Sequence, residues 1–546
     1  MDAGCLRLSA LSYCTLPPKT IVSNLNAKAR PPQFPAEVQK ILDAYRARVD
    51  AAQVYDVAQV TALEEARKLS QRLGNRILLK REDTQAVYSF KLRGAYNKIA
   101  KLSPAERARG VITASAGNHA QGVALAAKKL GLTAWIVMPR TTPALKVDSV
   151  RSLGGKAILH GDAYDDAREH ALALAAEKGM TMVHPYDDPE VIAGQGTIGR
   201  ELLDQCADLD VVFVPVGGGG LLAGVAAYIK AIKPKIKIIA VEPEDSNCFA
   251  AAMKAGRRVT LPQVGLFADG VAVRQIGEEN FRVARHLVDD TILVSVDEIC
   301  AATKDCFYEN RSLPEPAGAL AVAGIKKWVI ENGVSGKTIA GIVSGANVNF
   351  DRLGHIAERA ELGAATEALL AVTIPETPGS FKKFLKLLGR RAITEFNYRY
   401  ASASAAHVFV GIRISDGATE REAIIASLRE AGYPVVDMTG NEMAKVHVRF
   451  MVGGRAPGAT DEVLYRFEFP ERPAAALDFL NALGGRWNIS LFHYRNHGAA
   501  YGRVLCGLQV PKRERAECRR SLDALGYQYA DESVNPAYDL FLGTGA

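Results

Sequence analysis

The chain has 546 residues, of which 48% are hydrophobic and 23% are charged, and its formal net charge is +7. This composition is ordinary for a globular protein of about two to four domains. The sequence has no basic block interleaved with aromatic residues, which would predict nucleic-acid binding. It also has no run of about 18 or more apolar residues, which would predict a membrane span.

The first 36 residues differ in composition from the rest of the chain. They carry one acidic residue, Asp2, against four basic residues and several serines and threonines. An organelle transit peptide has this character, but so does the flexible tail of a bacterial protein. We predict a flexible segment over residues 1–36 in a cytoplasmic protein. The alternative is a plastid stromal protein whose transit peptide is this segment.

The cysteines carry little functional signal. Eight are scattered along the chain without a CxxC pair and without histidines at the spacing of a zinc site. We therefore predict unpaired, mostly buried thiols in a reducing compartment, and no metal site.

A first domain is predicted over residues 37–360, where short β-branched runs alternate with longer alanine-rich segments. This alternation is typical of an α/β domain built on parallel sheet, with functional groups at the carboxyl ends of the strands. The candidate strands are RILLK, GVITAS, TAWIVMP, KAILHG, VVFVPV, KIIAVEP, ILVSV and TIAGIVSG, and candidate helices include HAQGVALAAKKLG and DDAREHALALAAEKG.

One lysine of this domain, Lys91, stands among apolar neighbours in the stretch VYSFKLRGA, where an amphipathic helix is predicted to begin. The ordinary interpretation is a surface lysine whose stem lies along the protein. The alternative is a desolvated amine with a lowered pKa, which is the nucleophilic form of the group.

A loop of small residues follows the strand GVITAS. It consists of Ser115, Ala116, Gly117, Asn118 and His119, and a helix follows it. Backbone donors at a helix start suit a carboxylate, and Asn118 adds a side-chain amide. By itself His119 is interpreted as a helix-start residue with a local partner, whereas the loop as a unit indicates a binding site.

Four consecutive glycines, Gly217 to Gly220, follow the apolar strand VVFVPV, and a helix is predicted to begin near Leu221. Unobstructed N–H groups and the helix N-terminus together form a cradle for an anion, most naturally a phosphate. The absence of Lys-Ser or Lys-Thr after the glycines disfavours a Walker-type nucleotide loop. The pattern G-x-G-x-x-A of a dinucleotide site still fits.

A third loop, SGANVNF, contains Ser344, which could hydrogen-bond a ring nitrogen or the backbone. One chemistry uses an imine-forming lysine, a phosphate cradle, a carboxylate loop and a ring-nitrogen partner together. It is pyridoxal 5'-phosphate catalysis on an amino acid. A dinucleotide site would leave Lys91 and the SAGNH loop unexplained.

An internal repeat occupies the last third of the chain. The segment TIPETPGSFKKFLKLLGRRAITEFNYRYAS aligns with EFPERPAAALDFLNALGGRWNISLFHYRNH. Each copy predicts strand, helix, strand, strand, helix, strand, which is the ferredoxin-like arrangement, over residues 368–440 and 463–537. Matching positions include Pro375, Glu376 and Pro378 with Pro470, Glu471 and Pro473, and Tyr398 and Arg399 with Tyr494 and Arg495.

With these motifs, the chain resembles the biosynthetic threonine deaminases over nearly its whole length after about residue 50. The motifs that carry the resemblance are SFKLRGAY, VITASAGNHAQGVA, VIAGQGT, VFVPVGGGGL, FADGVAV, SGANVNF and the doubled tail. It implies a fold type II (tryptophan synthase β-like) pyridoxal-phosphate-dependent α/β catalytic domain and an α+β, ferredoxin-like, ACT-like regulatory domain. The implied reaction is the deamination of L-threonine to 2-oxobutanoate and ammonia, the first step of isoleucine biosynthesis.

The resemblance also implies roles for particular positions. Lys91 would form the imine with the cofactor and then remove the α-proton of the substrate as general base. Gly217 to Leu221 would hold the cofactor phosphate, Asn118 its 3'-oxygen and Ser344 its pyridine nitrogen. Residues 115–119 would hold the substrate carboxylate.

For the repeated tail, the resemblance implies isoleucine as inhibitor, valine as its antagonist, and a homotetramer. The segments Phe396 to Arg399 and Phe492 to Arg495 are candidate effector contacts, although core strands of the modules would have the same pattern.

One position separates related enzymes. Serine racemases resemble this catalytic half but place a serine directly before Gly-Asn-His, and here that position is Ala116. Alanine carries no exchangeable proton, so we expect deamination with little racemisation. The alternatives are another fold type II enzyme such as serine dehydratase, serine racemase or threonine synthase, a nicotinamide dehydrogenase, or a catalytically inactive amino-acid sensor.

Overall fold

The computed structural model describes residues 34–161, 164–350, 352–377, 379–400, 404–451, 453–470, 475–495, 501–535, 538 and 542. Most of the predicted N-terminal segment lies outside these residues, as do the repeat positions Pro378, Glu471 and Pro473. None of the helices in the described ranges combines the length and the apolar character needed to cross a membrane.

Short strands between residues 63 and 343 build the first part of the molecule. They are β1 (Leu63–Glu65), β2 (Arg76–Arg81), β3 (Val111–Ala114), β4 (Ala134–Met138), β5 (Lys156–Leu159), β6 (Thr181–Met182), β7 (Val211–Pro215), β8 (Lys237–Pro243), β9 (Asp290–Val294) and β10 (Thr338–Val343).

Helices connect and flank these strands. They are α1 (Ala36–Asp50), α2 (Arg67–Leu73), α3 (Lys91–Ala100), α4 (Pro104–Arg109), α5 (Asn118–Leu130), α6 (Ala144–Ser152), α7 (Tyr164–Lys178), α8 (Pro189–Gln205), α9 (Gly220–Ile232), α10 (Cys248–Ala255), α11 (Glu278–Ala284), α12 (Val296–Asn310), α13 (Pro316–Asn332) and α14 (Arg352–Gly363).

The strands form two sheets. The larger sheet has the order β1-β2-β10-β7-β8-β9 and is parallel except for β1, and the smaller sheet has the parallel order β5-β4-β3-β6. The predicted α/β architecture on parallel sheet is therefore confirmed. The sequence patterns missed β1 and β6, because strands of three and two residues are too short to show a pattern.

The central strands of the larger sheet are buried at every residue, as β7 and β10 show. Helices cover both faces of a parallel sheet, so its strands have continuous apolar runs in place of alternation. One face packs against a cluster that includes Leu222, Val225 and Ile229 of α9. The other packs against one that includes Leu320 and Ile325 of α13.

Glycines permit close helix crossings that place α3. A Cβ atom added at Gly194 of α8 would lie 2.7 Å from the Cα atom of Gly94 in α3. A Cβ atom added at Gly224 of α9 would lie 2.8 Å from the backbone nitrogen of Gly196 in α8. Only glycine fits at such approaches, so the helix that carries Lys91 is held against the core of the larger sheet.

The C-terminal region has its own antiparallel sheet. Its strands are β11 (Glu367–Pro375), β12 (Ile393–Arg399), β13 (Ala405–Arg413), β14 (Val435–Asp437), β15 (Glu462–Pro470), β16 (Asn488–Arg495), β17 (Tyr501–Gln509) and β18 (Gln528–Asp531), and its helices are α15 (Ser380–Leu388), α16 (Gly417–Glu430), α17 (Glu442–Val446), α18 (Ala475–Ala482) and α19 (Arg515–Leu525).

The sheet order is β14-β11-β13-β12-β16-β17-β15-β18, so β12 and β16 join two copies of one four-stranded arrangement. Each copy follows the predicted ferredoxin-like element order, which is thereby confirmed. Phe396 pairs with Tyr494 and Tyr398 pairs with Phe492 across the join. All four aromatic side chains are buried in the shared core, so the candidate effector segments are core strands as well.

Ion pairs connect the C-terminal region to the first part of the molecule. Arg359 of α14 pairs with Asp297 and with Glu442, and its Nη2 lies 3.0 Å from a carboxylate oxygen of Glu442. Lys445 Nζ lies 2.6 Å from the second carboxylate oxygen of Asp297. The helix that follows the Ser344 loop is therefore tied to both regions.

The cysteines that lie within the described residues are all free and buried, in agreement with the prediction for them. They are Cys206, Cys248, Cys300, Cys306, Cys506 and Cys518.

Candidate active site

Each of the three predicted loops follows a parallel strand, two of them neighbours in the larger sheet and the third in the smaller sheet. Ser115 follows β3, Gly217 closely follows β7, and Ser344 follows β10. Ligands bind at the carboxyl ends of the strands in open α/β folds, and all three loops lie at such strand ends.

Lys91 is the first residue of α3, as the sequence predicted, and its side chain is partly buried. Its Nζ donates a hydrogen bond of 3.0 Å to the carbonyl oxygen of Pro185. The segment before it is tied to the Ser344 loop, because Phe90 N donates to the Ser344 carbonyl oxygen at 3.3 Å. Lys91 and Ser344 are therefore held by adjacent backbone.

The backbone before Lys91 is strained. Tyr88 has φ +53°, in the left-handed region that non-glycine residues rarely adopt. The Tyr88 carbonyl oxygen accepts a hydrogen bond of 2.9 Å from Ala346 N, which helps to hold this conformation. On the other side, Gly122 lets α5 approach closely, since a Cβ atom there would lie 3.1 Å from the carbonyl carbon of Lys91.

Burial lowers the pKa of Lys91 to about 8, and the Coulombic attraction of Glu315 opposes that shift. A desolvated ammonium group is disfavoured relative to the neutral amine. A substantial fraction of Lys91 is therefore an unprotonated, nucleophilic amine near neutral pH, whereas an exposed lysine is almost fully protonated.

The four glycines form a tight turn at the start of α9, which begins at Gly220. A Cβ atom at Gly218 would lie 2.2 Å from the ring of Tyr186, and one at Gly219 would lie 2.5 Å from Cδ1 of Ile276. Gly219 also has φ +91°. The glycine run is thus sterically required, and Leu221 behind it is buried.

The amide N–H groups of Gly217, Gly218 and Gly219 have no hydrogen-bond acceptor among the residues that the structure describes. Orphan backbone donors beside a helix N-terminus suit an anion with several oxygens. The turn therefore fits a phosphate group.

The loop 115–119 uses its first side chain internally. Ser115 Oγ accepts hydrogen bonds of 3.3 Å from Gly117 N and from Ala120 N, at the start of α5. A Cβ atom at Gly117 would meet nothing within 4 Å, so the backbone there is open to a ligand. Ala116 is partly buried beside it.

His119 has a different environment from the rest of that loop. Its ring is buried, and its Nε2 donates to the carbonyl oxygen of Val183 at 2.9 Å. Burial lowers its pKa to about 3, and the charge of Lys91 adds to the shift. His119 is therefore a neutral residue of the protein interior, bonded to the backbone after β6.

Asn118 is held from both ends of its amide. Its Nδ2 donates to Glu315 Oε1 at 2.6 Å, and its Oδ1 accepts from Asn347 Nδ2 at 2.6 Å. These two partners fix which side of the amide carries the N–H groups. One N–H of Nδ2 stays available to a ligand atom, and the family resemblance implies a cofactor oxygen as its acceptor.

Glu315 was missed by the sequence analysis. It is the N-cap residue of α13, its side chain is buried, and its backbone N donates to the Gly345 carbonyl oxygen at 3.0 Å. Burial raises its pKa to about 7, the charge of Asp269 adds to this, and the hydrogen bond from Asn118 opposes it. The sequence signal that could have found it is the acid in PEPAG, directly before a helix.

Ser344 is buried, and its Oγ donates to the carbonyl oxygen of Ala317 at 3.3 Å, in the first turn of α13. Both interpretations of this serine remain open, because a hydroxyl that donates to the backbone still has lone pairs and can rotate. Its position beside the Lys91 segment suits a ring nitrogen as partner.

Together these residues fit pyridoxal phosphate. The glycine turn offers amide N–H groups without acceptors among the described residues, Lys91 offers an amine with a lowered pKa, and Asn118 offers an oriented side-chain amide.

Known families match most of the chain. Residues 54–345 match the family described as "Pyridoxal-phosphate dependent enzyme". Residues 358–448 and 453–542 match the family described as "C-terminal regulatory domain of Threonine dehydratase".

Curated relatives match over nearly their full length. The biosynthetic L-threonine dehydratase IlvA of Escherichia coli is 56% identical over 498 residues, which cover 91% of this chain and 97% of the relative. That of Burkholderia multivorans is 55% identical, with 91% and 99% covered. The chloroplastic biosynthetic threonine dehydratase of Arabidopsis thaliana is 47% identical, with 94% and 89% covered.

Among solved structures, the processed form of threonine deaminase isoform 2 from Solanum lycopersicum is 48% identical and superposes with a TM-score of 0.59 over 61% of this chain and 91% of that chain. Taken with the site and the doubled C-terminal module, these matches show that the chain belongs to the pyridoxal-phosphate-dependent biosynthetic threonine dehydratases.

Proposed function

We propose that this protein deaminates L-threonine to 2-oxobutanoate and ammonia, as the first step of isoleucine biosynthesis, with pyridoxal phosphate as cofactor and isoleucine as allosteric inhibitor. The proposal is supported by the presence of two features in a single chain. One is a lysine whose pKa is lowered to about 8, together with a glycine turn of unbonded amides and an oriented asparagine amide. A doubled regulatory module of threonine dehydratase follows it.

When bound, pyridoxal phosphate supplies an electrophilic aldehyde and a ring that accepts the electrons of the substrate α-carbon. Lys91 would hold the aldehyde, and the N–H groups of Gly217 to Leu221 would hold the phosphate. Asn118 would donate to the 3'-oxygen, and Ser344 would face the pyridine nitrogen.

The residues around the substrate have simpler tasks. The open backbone at Gly117 and the start of α5 would bind the carboxylate of L-threonine. The neutral amine of Lys91 would then take the α-proton, because its lowered pKa suits proton transfer near neutral pH. The β-hydroxyl leaves with a proton as water, and the resulting enamine tautomerises to an imine that water hydrolyses to 2-oxobutanoate and ammonia.

Ala116 supports elimination over racemisation. Racemisation needs a second proton donor on the opposite face of the substrate, and a methyl group cannot supply one. We expect the ratio of L-serine racemisation to L-serine deamination to be low. Comparable rates of D-serine and pyruvate formation from L-serine would contradict this interpretation, and Ala116→Ser is the variant expected to raise the ratio.

The regulatory region supports effector binding by small amino acids. We propose isoleucine as inhibitor, valine as its antagonist and a homotetramer as the working assembly. The helix α14 offers a physical route for coupling, since it follows the Ser344 loop and its Arg359 pairs with Glu442. Two-state behaviour would make the coupling between the sites reciprocal.

The test is a coupled assay for 2-oxobutanoate with the purified full chain, with and without isoleucine, and with valine added to the inhibited enzyme. We expect threonine-dependent turnover, sigmoidal inhibition by isoleucine and its relief by valine. Turnover without any isoleucine effect would overturn the regulatory part. Isoleucine binding without turnover would indicate an amino-acid sensor. Sedimentation of the same preparation tests the tetramer.

We further propose domains over residues 37–360, 368–440 and 463–537, which limited proteolysis with mass spectrometry of the fragments tests. A cytoplasmic location is our proposal, with the plastid stroma as the alternative. The N-terminus of the protein isolated from its native cells decides between them, because a removed transit peptide shortens it.

A further inference from the structure

We propose that Asn280 is a positioning residue that orients the phosphate cradle, a role that rests on the proposed binding of pyridoxal phosphate by the glycine turn. Asn280 lies in α11 and is fully buried. Its Nδ2 donates hydrogen bonds of 2.7 Å to the Gly218 carbonyl oxygen and 3.1 Å to the Tyr186 carbonyl oxygen.

The orientation of this amide is determined by its partners. Rotating the amide by 180° would place Oδ1 against two carbonyl oxygens, neither of which can donate a hydrogen bond. The Gly218 carbonyl oxygen accepts a second hydrogen bond, of 3.1 Å, from Gly277 N. Both donors lie at the start of α11, so they hold this carbonyl in a single direction.

The direction of that carbonyl decides the direction of the next amide. In a trans peptide the C=O of Gly218 and the N–H of Gly219 point to opposite sides of the chain. The chain has no cis peptide bond among its described residues. Holding the carbonyl toward α11 therefore turns the Gly219 N–H away from α11, where it serves as one of the orphan donors of the cradle.

The second hydrogen bond of Asn280 reaches the segment that lies next to Lys91. The Tyr186 ring packs on Gly218, and the carbonyl oxygen of the preceding residue, Pro185, accepts from Lys91 Nζ. The same segment is anchored by Asp187, whose carboxylate accepts from the backbone N of Glu278 and of Glu279 at the start of α11. Because Asp187 anchors this segment to α11 independently, the loss of the Asn280 amide is expected to act mainly on the glycine turn.

Both donations of Asn280 Nδ2 go to backbone carbonyl oxygens, so its contribution to phosphate binding is indirect. Its Oδ1 is buried and has no partner among the described residues. A buried acceptor without a partner costs free energy. An apolar side chain at this position would avoid that cost but would leave both carbonyl oxygens without the donor that orients them.

The experiment compares the affinity of the cofactor-free full chain for pyridoxal phosphate and for pyridoxal, which has the aldehyde and ring but no phosphate. The variants are Asn280→Leu, which removes both donations, and Asn280→Ser, which keeps one donor. The matched control is Asn75→Leu. Asn75 Nδ2 also donates to two backbone carbonyls, those of Leu73 and Val334, before β2.

We expect Asn280→Leu to weaken pyridoxal phosphate binding roughly tenfold or more, as the loss of an oriented donor to a charged group predicts, with little change for pyridoxal. Asn280→Ser should be intermediate, and it decides the matter if the leucine variant does not fold. Asn75→Leu should lower thermal stability but leave the ratio of the two dissociation constants unchanged.

Two results would overturn the role of Asn280: an unchanged ratio in both Asn280 variants, or equal weakening of both ligands, which a general packing defect would cause. Failure of the proposed cofactor site looks different. In that case the wild-type chain itself would bind pyridoxal phosphate no better than pyridoxal.

Discussion

Two cations in the first turn of α3, Lys91 and Arg93, are buried with opposite consequences. Arg93 is 0% exposed and its guanidinium lies 2.8 Å from a carboxylate oxygen of Glu82 and 2.6 Å from one of Glu201. Lys91 Nζ has no carboxylate partner among the described residues and donates to a carbonyl oxygen. Arg93 is fully buried and Lys91 partly buried, and the main difference between them is that only Arg93 has carboxylate partners.

The pKa values follow the pairing. Burial lowers the pKa of Arg93, but the charges and hydrogen bonds of Glu82 and Glu201 outweigh it, so this pKa is raised. Burial lowers the pKa of Lys91 to about 8, and the single charge of Glu315 does not compensate. Residues two apart lie roughly 200° apart around a helix, so one faces an ion cluster and the other the ligand site.

The ion cluster around Arg93 also contains Lys80, Glu82 and Glu201. Lys80 Nζ lies 2.6 Å from the second carboxylate oxygen of Glu201, and Thr61 Oγ1 donates to Glu82 at 2.7 Å. Two cations balance two carboxylates, which gives this buried group no net charge. The comparison indicates that paired buried charge stabilises the fold, whereas unpaired buried charge becomes chemically reactive.

The largest effect is expected from Lys91→Ala. The variant loses both the covalent anchor of the cofactor and the base for the α-proton, so threonine turnover should fall on the order of 10³-fold or more. The visible absorption of bound cofactor should disappear as well. A variant with the wild-type melting temperature and more than a tenth of the wild-type turnover would contradict the assignment.

Arg93→Met should affect stability most. Removing one partner leaves Glu82 and Glu201 buried with Lys80 alone, and breaking a buried ion pair in this way costs about 3–5 kcal/mol. Urea unfolding followed by far-ultraviolet circular dichroism measures the loss, and Arg93→Lys is the matched control that keeps the charge. If Arg93→Met unfolds at the wild-type urea concentration, the cluster does not stabilise the fold.

Glu315→Gln should move the pH dependence of cofactor capture. The neutral amine of Lys91 attacks the aldehyde, so the association rate of pyridoxal phosphate with the cofactor-free chain should rise with pH around a midpoint near 8. The charge of Glu315 raises the pKa of Lys91, so the glutamine variant should shift this midpoint to lower pH. Glutamine keeps a hydrogen-bond partner for Asn118, and a shift to higher pH would refute this electrostatic coupling.

The smallest effect is expected from His119→Gln. With its pKa lowered to about 3 by burial, His119 stays neutral above about pH 4 and cannot contribute an ionisation between pH 5 and 9. Glutamine can still donate to the Val183 carbonyl oxygen. The pH profile of kcat/KM for threonine should keep its shape, and the loss of an inflection near pH 6 to 7 would show that His119 titrates there.

Much of the candidate site was predictable because its signals are local. Each signal spans only a few consecutive residues: a lysine at a helix start, four glycines after an apolar strand, and the SAGNH loop. The partners that orient them were not predictable. Glu315 lies 197 positions from Asn118, and Asn280 lies 62 positions from Gly218. No pattern in one sequence marks such pairs, since only the packing of distant helices brings them together.

By itself, the sequence determined the parallel α/β architecture, the doubled ferredoxin-like module and the residue types available for pyridoxal phosphate, because strand and helix periodicity, glycine runs and repeats are properties of neighbouring residues. Only the tertiary structure decided that Arg93 is paired with carboxylates while Lys91 is not, which way the Gly218 carbonyl points, and that β12 pairs with β16. Desolvation, Coulombic interaction and strand pairing depend on distances in space between residues far apart in the chain.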